Sequence, residues 1–360
     1  MHIICSEIHL KNFRCFDSIT VTFDSPIMLI EGINGAGKTS LLEALYYSCY
    51  LRSFRTHLPR EIVYFEKKNF FVRIIVTHDQ VNHEIQVGFS SEKRSVKIDK
   101  KAISSYKELM DLYRVVSLIE EDLSIIQEGP QKRRSFLDQT LLLFDTSFAT
   151  TLREFKKILN NRTRLIQQLK SPDEHYQLWT EQLWTKTEEI QKKRIDLLAL
   201  LTDEVNLLLA TYFKSDYEVS CVYLPKYIAR GITPIAFLQE NSDFFFKERK
   251  SGHSMLGAHL EDFDIIFQNK KTKRLASRGQ QKLVLVLLKV AKARFINKNK
   301  GPILFLLDDF ISDFDIETIK TLLAILYSLD GQLIFTSPTR QSLLSTLLPR
   351  GSFAITQLDI

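Results

Sequence analysis

Hydrophobic and polar positions follow different periods in different parts of the chain. Alternation and β-branched residues within 3–31 predict strands, the last of which is the apolar run Ile27–Ile30. Later, a helical pattern at 280–296 precedes an apolar run at 303–307, and another helical segment precedes an apolar run at 332–336. Strands that alternate with helices in this way are typical of parallel α/β packing.

A helical period dominates the middle of the chain. From about 138 to 212, apolar residues recur at three- and four-residue steps, and Ser171-Pro172-Asp173 separates two long segments. Two long helices joined by a short turn predict an antiparallel hairpin, either an ordinary packing unit or an arm that projects from a head. Before it, runs at 70–76, 84–89 and 93–101 predict three antiparallel strands.

The composition is ordinary for a soluble globular protein. The 360 residues are 44% hydrophobic and suffice for two or three domains, and no apolar run is long enough to cross a bilayer. The first residues lack an export signal, and four widely spaced cysteines fit reduced thiols, so we expect a cytoplasmic protein without membrane contact. A net charge of +6 permits nucleic-acid binding without requiring it.

The strongest chemical signal follows the run Ile27–Ile30. It matches the pattern G-x-x-x-x-G-K-[ST] and leads into a helical segment. Backbone amides of such a loop point at phosphate, Lys38 is expected to reach the β- and γ-phosphates, and Thr39 to ligate Mg²⁺. A chance Gly-rich turn matches this pattern in a chain of this length at a rate on the order of one percent. The predicted ATP contacts are Gly32, Ile33, Asn34, Gly35, Ala36, Gly37, Lys38 and Thr39.

A second signal ends the apolar run 303–307. Two carboxylates, Asp308 and Asp309, follow it, at the end of a parallel strand where α/β proteins bind their ligands. Asp308 is placed to hold Mg²⁺ directly or through water, and Asp309 to orient or deprotonate the attacking water. A strand that ends in an acidic turn is a common alternative, and the upstream phosphate loop favours the metal site.

A third signal, Ser277-Arg278-Gly279-Gln280, precedes the helical segment 280–296. Alone, it is better explained as a plain helix cap. Together with the other motifs it resembles the signature of the ABC-type ATPases, and Ser312–Asp315 resembles their D-loop. The resemblance implies that Ser277, Gly279 and Gln280 bind the γ-phosphate held by the phosphate loop of a second subunit. ATP would then join two heads into an ATP-dependent homodimer.

On this resemblance we predict an α/β fold, namely an ABC-type P-loop ATPase head, with a mixed sheet and helices, that carries an inserted, mainly α-helical arm domain. The predicted parts are ATPase lobe I with the P-loop at 1–137, an inserted helical hairpin arm or lobe II at 138–250, and a C-terminal part at 251–360 with the signature, the Walker B strand and the D-loop.

Several blocks, in order along the whole chain, are similar to the RecF family of bacterial recombination mediators. The similarity places Arg14 among the expected nucleotide contacts. These blocks are Leu10–Arg14, Gly32–Leu45, Arg52–Thr56, Gly129-Pro130 with Arg133–Asp138, Ser277–Leu283, and Leu306–Asp309 with Ser312–Asp315.

The family resemblance implies a function in recombinational repair, replication-fork maintenance and the SOS response. It implies ATP-dependent binding to gapped DNA and to single-/double-stranded junctions, dimerisation on DNA, and slow, DNA-stimulated hydrolysis of ATP as a switch. The implied partners are RecR- and RecO-type mediators, with which such proteins load RecA. The alternative is a structural, SMC-like ATPase that tethers DNA without a loading role. A fused nuclease would need a further carboxylate cluster, which the sequence does not offer.

The chain departs from the family pattern at Glu120, Glu128, Ala258 and Leu260. An arginine is lost at Leu260, so a charge contact near the nucleotide or between lobes is expected to weaken. Three basic segments are compatible with DNA binding, and a solvated surface explains each of them equally well. They are Arg52 with Arg55, then Lys93, Arg94, Lys97, Lys100 and Lys101, and finally Lys270, Lys271, Lys273 and Arg274.

Overall fold

The computed structural model describes residues 2, 4–91, 93–103, 107–145, 147–213, 216–227, 232–338, 343–348 and 353–358. The first part contains β1 (Cys5–Phe13), β2 (Phe16–Thr22), β3 (Ile27–Glu31), α1 (Lys38–Tyr50), β4 (Asn69–His78), β5 (Val81–Ser90), β6 (Lys93–Ile98), β7 (Lys101–Ala102), α2 (Lys107–Leu112) and β8 (Val115–Leu118). The middle contains α3 (Ser124–Gln127), α4 (Pro130–Phe144), α5 (Phe148–Gln168), α6 (Glu174–Tyr212), β9 (Val219–Leu224), α7 (Pro234–Glu240), α8 (Phe244–Ser251), β10 (Asp262–Phe267), β11 (Lys270–Lys271) and α9 (Thr272–Leu275). The last part contains α10 (Arg278–Lys300), β12 (Ile303–Leu307), α11 (Ile316–Tyr327), β13 (Gly331–Ser337), α12 (Leu343–Leu347) and β14 (Ala354–Gln357).

The chain divides into two compact units. Unit 1 comprises residues 1–123 and 285–360, and unit 2 comprises residues 124–284. The second boundary falls inside α10, which is continuous from Arg278 to Lys300. No helix in the described part of the chain is long and apolar enough to span a membrane.

A parallel sheet lies at the centre of unit 1. Its five strands run in the order β14-β3-β13-β12-β8, and each neighbouring pair is parallel. All residues of β3, β12 and β13 are buried, as expected for strands covered on both faces, which explains their continuous apolar runs. The parallel α/β core predicted from the alternation is therefore confirmed. The carboxyl ends of these three strands meet at one edge of the sheet, where the candidate site lies.

Unit 1 also contains an antiparallel sheet. Its order is β2-β1-β4-β5-β6-β7, so the early hairpin and the three following strands are as predicted. Alternate residues of β4, such as Val72 and Ile74, are fully buried, and they share one hydrophobic core with Leu41 and Leu45 of α1. The helix that follows β3 is thus fixed by both sheets.

Unit 2 is built around the predicted helical hairpin. Helices α5 and α6 pack against each other, and Asp173 caps α6 by accepting a 2.8 Å hydrogen bond from the Tyr176 amide. Inside unit 2, the buried Arg162 guanidinium forms two 2.7 Å hydrogen bonds with the buried Glu248 carboxylate of α8. Strands β9, β10 and β11 form a small antiparallel sheet beside these helices.

The division into units differs from the predicted boundaries at 137 and 250. Residues 124–137 and 251–284 belong to unit 2. Arg133 on α4 donates two hydrogen bonds of 2.7 and 2.8 Å to Asp262 of β10. Helix α4 itself begins at Pro130 after Gly129, as the Gly-Pro pair predicts.

At residues 257–262 the chain lacks an arginine of the family pattern. Two arginine side chains of unit 2 hold this segment by its main-chain carbonyl oxygens. Arg194 of α6 donates a 2.7 Å hydrogen bond to the Ala258 carbonyl oxygen, and Arg134 donates one of 2.7 Å to the Glu261 carbonyl oxygen. A short 3₁₀ turn, Ala258–Leu260, therefore keeps its place although Leu260 carries no charge.

Candidate nucleotide-binding site

The phosphate loop connects the buried strand β3 to helix α1. Gly35 and Gly37 have φ angles of 90° and 82°, in the left-handed region that glycine adopts without cost. A Cβ on Gly37 would lie 2.5 Å from the Phe16 ring and 2.6 Å from the Cys15 sulfur, so the loop also needs a hydrogen there. Because the N-cap residue of α1 is Gly37, it offers no side chain to cover the first-turn amides, which can bind an anion.

Lys38 is folded back over this loop. Its Nζ donates hydrogen bonds of 2.7 and 2.9 Å to the carbonyl oxygens of Gly32 and Ile33. Partial burial lowers the pKa of Lys38, and the negative charges of Asp308 and Asp309 oppose that shift. The ammonium group therefore lies against the loop backbone, where it feels the charges of both Asp308 and Asp309.

Asp308 lies between two threonine hydroxyls that come from different elements. Thr39 Oγ1 of α1 donates a 2.7 Å hydrogen bond to Asp308 Oδ2, and Thr336 Oγ1 at the end of β13 donates one of 2.5 Å to Asp308 Oδ1. The Asp308 amide is itself bound to the Leu118 carbonyl oxygen at 2.9 Å. Hydroxyl and carboxylate oxygens are the hard donors that Mg²⁺ prefers, so these residues fit the implied metal.

A buried serine at the end of β13 also suits a polar ligand beside the phosphate loop. Ser337 is buried and lies opposite Glu31, the residue before Gly32, in the parallel register of β13 and β3. Its hydroxyl has no hydrogen-bond partner among the residues that the structure describes. A buried hydroxyl without a partner next to the phosphate loop is consistent with a site that takes a polar ligand or water.

Asp309 has an unusual backbone conformation. Its φ angle is 41°, which is rare for a residue other than glycine, and such conformations concentrate at functional sites. Two hydrogen bonds hold it: the Asp309 amide donates to Thr336 Oγ1 at 3.1 Å, and Ser312 Oγ donates to the Asp309 carbonyl oxygen at 3.0 Å. Thr336 thus contacts both consecutive acidic residues. From the sequence, Thr336 was seen only as the end of an apolar strand. Its hydroxyl at the carboxyl end of a parallel strand is the feature that could have identified it as a site residue.

Arg14 is bound to helix α1. Its guanidinium donates hydrogen bonds of 2.8 and 2.6 Å to the two carboxylate oxygens of the fully buried Glu43. Ser53 donates a hydrogen bond to the same carboxylate, and Arg55 Nη1 lies 3.8 Å from it. Two blocks that are distant in sequence therefore converge on Glu43, a residue that sequence reasoning did not single out. A nucleotide contact by Arg14 stays a prediction.

The signature segment lies in unit 2 and begins helix α10. The Ser277 amide donates a 3.0 Å hydrogen bond to Gln280 Oε1, and the Gln280 amide donates one of 3.3 Å to Ser277 Oγ. This reciprocal pair is a capping box, so the structure contains the helix cap that was the alternative explanation. Both residues are exposed. Their predicted contact with a γ-phosphate, like that of Gly279, stays a prediction.

The chain is similar to known proteins along most of its length. A family model described as an AAA domain matches residues 7–217. A DNA replication and repair protein RecF of Hydrogenovibrio crunogenus is 30% identical over 345 residues, which cover 95% of this chain and 94% of that protein.

A solved structure of the recombination mediator protein RecF with ATP in the RecFOR pathway has a TM-score of 0.83 at 25% identity, over 94% of this chain and 93% of that one. A crystal structure of an Smc head bound to the C-winged helix domain of ScpA has a TM-score of 0.56 at 13% identity, over 95% of this chain and 91% of that one, which shows a shared fold alone.

Proposed function

The chain belongs to the RecF family of DNA replication and repair proteins, and from this premise we propose that it is an ATP-dependent DNA-binding protein of recombinational repair. The observation that carries the proposal is the Asp308 carboxylate, held between Thr39 of the phosphate-loop helix and Thr336. A solved relative described as bound to ATP supports ATP as the nucleotide.

Each residue of the site has a role in binding or hydrolysis. Lys38 would exchange the carbonyl oxygens of Gly32 and Ile33 for phosphate oxygens, since an ammonium group bonds more strongly to an anionic oxygen than to a neutral carbonyl. Thr39 and Asp308 would hold Mg²⁺, which when bound neutralises charge on the phosphate oxygens. Asp309 would orient the attacking water and accept its proton at the carboxylate.

The site is completed by a second copy of the chain in this proposal. Ser277 and Gly279 of one copy would bind the γ-phosphate held by the phosphate loop of the other. The exposure of Ser277 and Gln280 at the start of α10 supports this role, because a helix N-terminus attracts an anion and this one is accessible to a second chain. Gel filtration with ATP and without DNA tests it. A monomer at every protein concentration would rule out the ATP-joined dimer.

We assign the DNA-related steps by family membership. The protein would bind gapped DNA and junctions in its ATP-bound form, hydrolyse ATP slowly, and act with RecO- and RecR-type mediators in loading RecA. The relative described in the RecFOR pathway supports these partners. Equal affinity for gapped and intact duplexes would instead favour an SMC-like tether.

The experiment that tests the proposal compares DNA binding with and without ATP. The wild type is expected to bind gapped DNA only with ATP. Lys38→Arg is expected to lose binding, because a guanidinium cannot replace the compact ammonium in the loop. Asp309→Asn is expected to bind ATP and DNA but to hydrolyse ATP at least tenfold more slowly. DNA binding that is indifferent to nucleotide in the wild type would contradict the mechanism.

A further inference from the structure

A cationic cavity lies within unit 2, apart from the phosphate loop in sequence. Its volume is about 240 Å³. Strand β10 and the adjoining segment 271–274 supply most of its lining, and α4 supplies one arginine. The charged lining residues are Arg133, Asp264, Lys271, Lys273 and Arg274, and the apolar ones are Ile126, Phe263 and Ile265.

Two of the four cations in this lining are compensated by carboxylates. Arg133 forms a bidentate pair with Asp262, and Lys271 Nζ lies 2.6 Å from Asp264 Oδ2. Lys273 donates a 2.9 Å hydrogen bond to the Glu128 carbonyl oxygen, which carries no formal charge. Neither Lys273 nor Arg274 has an ion pair with any residue that the structure describes. The cavity wall therefore has a surplus of two positive charges.

The other basic segments are arranged differently. Arg55 lies near the buried Glu43, and the Arg52 guanidinium lies 5.7 Å from the centre of the Tyr50 ring. Arg94 packs over the Tyr47 ring at 5.4 Å. On β6 the remaining cations, Lys93 and Lys97, are exposed on one face of the strand and do not line this cavity.

We propose that Lys273 and Arg274 bind the phosphodiester backbone of DNA at this cavity. The inference rests on the proposed DNA-binding function and assigns one of its contact sites. A flexible ammonium and a planar guanidinium, both uncompensated and exposed beside a concave surface, suit phosphate oxygens and carry no base specificity.

The same segment is tied to the signature. The buried Gln281 side chain donates hydrogen bonds of 3.2 Å to the carbonyl oxygens of both Thr272 and Ala276, and it accepts one of 2.8 Å from Gln127. Thr272 and Ala276 flank Lys273 and Arg274, and Ser277 follows directly. A phosphate contact on this segment therefore acts on the first turn of α10. Gln281 is the positioning residue that links DNA contact to the signature.

The contact is tested by the salt dependence of DNA binding in the presence of ATP. For the double variant Lys273→Ala/Arg274→Ala, we expect the slope of log K against log salt to fall in magnitude by about 2 relative to the wild type. Nucleotide affinity should stay within twofold. The matched control, Lys93→Ala/Lys97→Ala, removes the same charge from β6 and should leave the slope unchanged.

The outcomes separate this inference from the proposed function. If the wild type fails to bind DNA, the proposed function is lost and this site with it. Suppose that the wild type binds DNA. If both double variants keep the wild-type salt slope, or if the slope falls by the same amount in both, the site assignment is overturned while the function stands.

The link to the signature has its own test. Gln281→Met keeps the side-chain length but removes all three hydrogen bonds, those to Thr272 and Ala276 and the one from Gln127. We expect the salt slope of the wild type, basal ATPase within twofold, and loss of most of the stimulation by DNA. Gln281→Leu, which removes the same bonds with a branched side chain, serves if Gln281→Met does not fold, and Gln127→Ala, which removes only the bond from Gln127, is the matched control and should keep the stimulation. Full stimulation in the folded variant would overturn the link.

Discussion

Thr336 Oγ1 donates a 2.5 Å hydrogen bond to Asp308 Oδ1 and accepts one of 3.1 Å from the Asp309 amide. One buried hydroxyl at the end of β13 thus fixes both acidic residues that follow β12. The two strands are neighbours in the parallel sheet, with Leu307 opposite Phe335, so Thr336 comes directly after the last pair of the register. The contact is a consequence of strand pairing rather than of proximity in sequence.

We expect Thr336→Val to raise the Mg²⁺ concentration that ATP hydrolysis requires, while nucleotide binding without Mg²⁺ stays the same. Valine keeps the shape and removes the hydroxyl, so Asp308 Oδ1 loses a donor and the Asp309 amide loses an acceptor. Loss of such a supporting contact costs 10–100-fold in metal affinity or activity, as an order of magnitude. The measurement is the Mg²⁺ concentration that gives half-maximal ATP hydrolysis.

Thr336→Ser is the matched control because it keeps the hydroxyl. It should need no more than about twofold more Mg²⁺ than the wild type, and nucleotide binding without Mg²⁺ should be the same in all three proteins. A valine variant with the Mg²⁺ dependence of the wild type would show that Thr336 does not position the carboxylates.

The two glycines with positive φ in the phosphate loop should respond differently to alanine. At both positions a left-handed conformation costs alanine roughly 1–2 kcal/mol. At Gly35 a Cβ meets open space, whereas at Gly37 it meets Phe16 and Cys15 at 2.5 and 2.6 Å. We therefore expect Gly37→Ala to lower the free energy of unfolding more than Gly35→Ala does.

Urea denaturation gives the free energies, and titration with a fluorescent ATP analogue gives the affinities. Gly37→Ala should lose at least tenfold in affinity because the loop must shift to relieve the contact. Equal unfolding free energies for the two variants would mean that the loop adapts to a Cβ at Gly37.

The sequence was most informative where the chemistry is local. Some features could be predicted from local sequence patterns alone. They are the phosphate loop, the Asp308-Asp309 pair, the α5–α6 hairpin and the helix start at Pro130. Glu43, Thr336 and Gln281 were missed because each has a partner that lies far away in sequence: Arg14 for Glu43, Asp308 for Thr336, and Gln127 for Gln281.

The Arg162–Glu248 pair should be the most sensitive single contact in unit 2. Both side chains are fully buried, and Thr180, Tyr176 and Ser254 complete the hydrogen bonds of the guanidinium. Glu248→Gln leaves a buried cation without its counter-charge, which costs about 3–5 kcal/mol.

The double variant Arg162→Met/Glu248→Met tests the cause by removing both charges together. It should be more stable than Glu248→Gln in urea denaturation of the full chain. If the double variant is the less stable of the two, then packing and hydrogen bonding, rather than the uncompensated charge, determine the loss.

Lys292 of α10 gives a prediction about pH. Burial lowers the pKa of this lysine from 10.5 to about 7, with nearby Lys289 and Arg52 adding to the shift and Asp122 opposing it. Because the folded pKa lies below the unfolded one, the unfolded chain binds more protons between pH 7 and about 10. Unfolding free energy therefore rises with pH across that window, by at most about 1.4 kcal/mol per pH unit from this group. Below pH 7 both states are protonated and the cost of the buried charge is constant.

Lys292→Met removes this group and keeps an unbranched side chain in the same space. We expect the variant to be more stable than the wild type at pH 7, with the difference shrinking as the pH is raised to 10. Urea denaturation at unit steps of pH measures it. As a control, Lys298→Met removes a lysine from the last turn of the same helix, at an exposed position, and should follow the wild-type pH profile. A constant difference between Lys292→Met and the wild type across the window would show that Lys292 keeps an ordinary pKa in the folded chain.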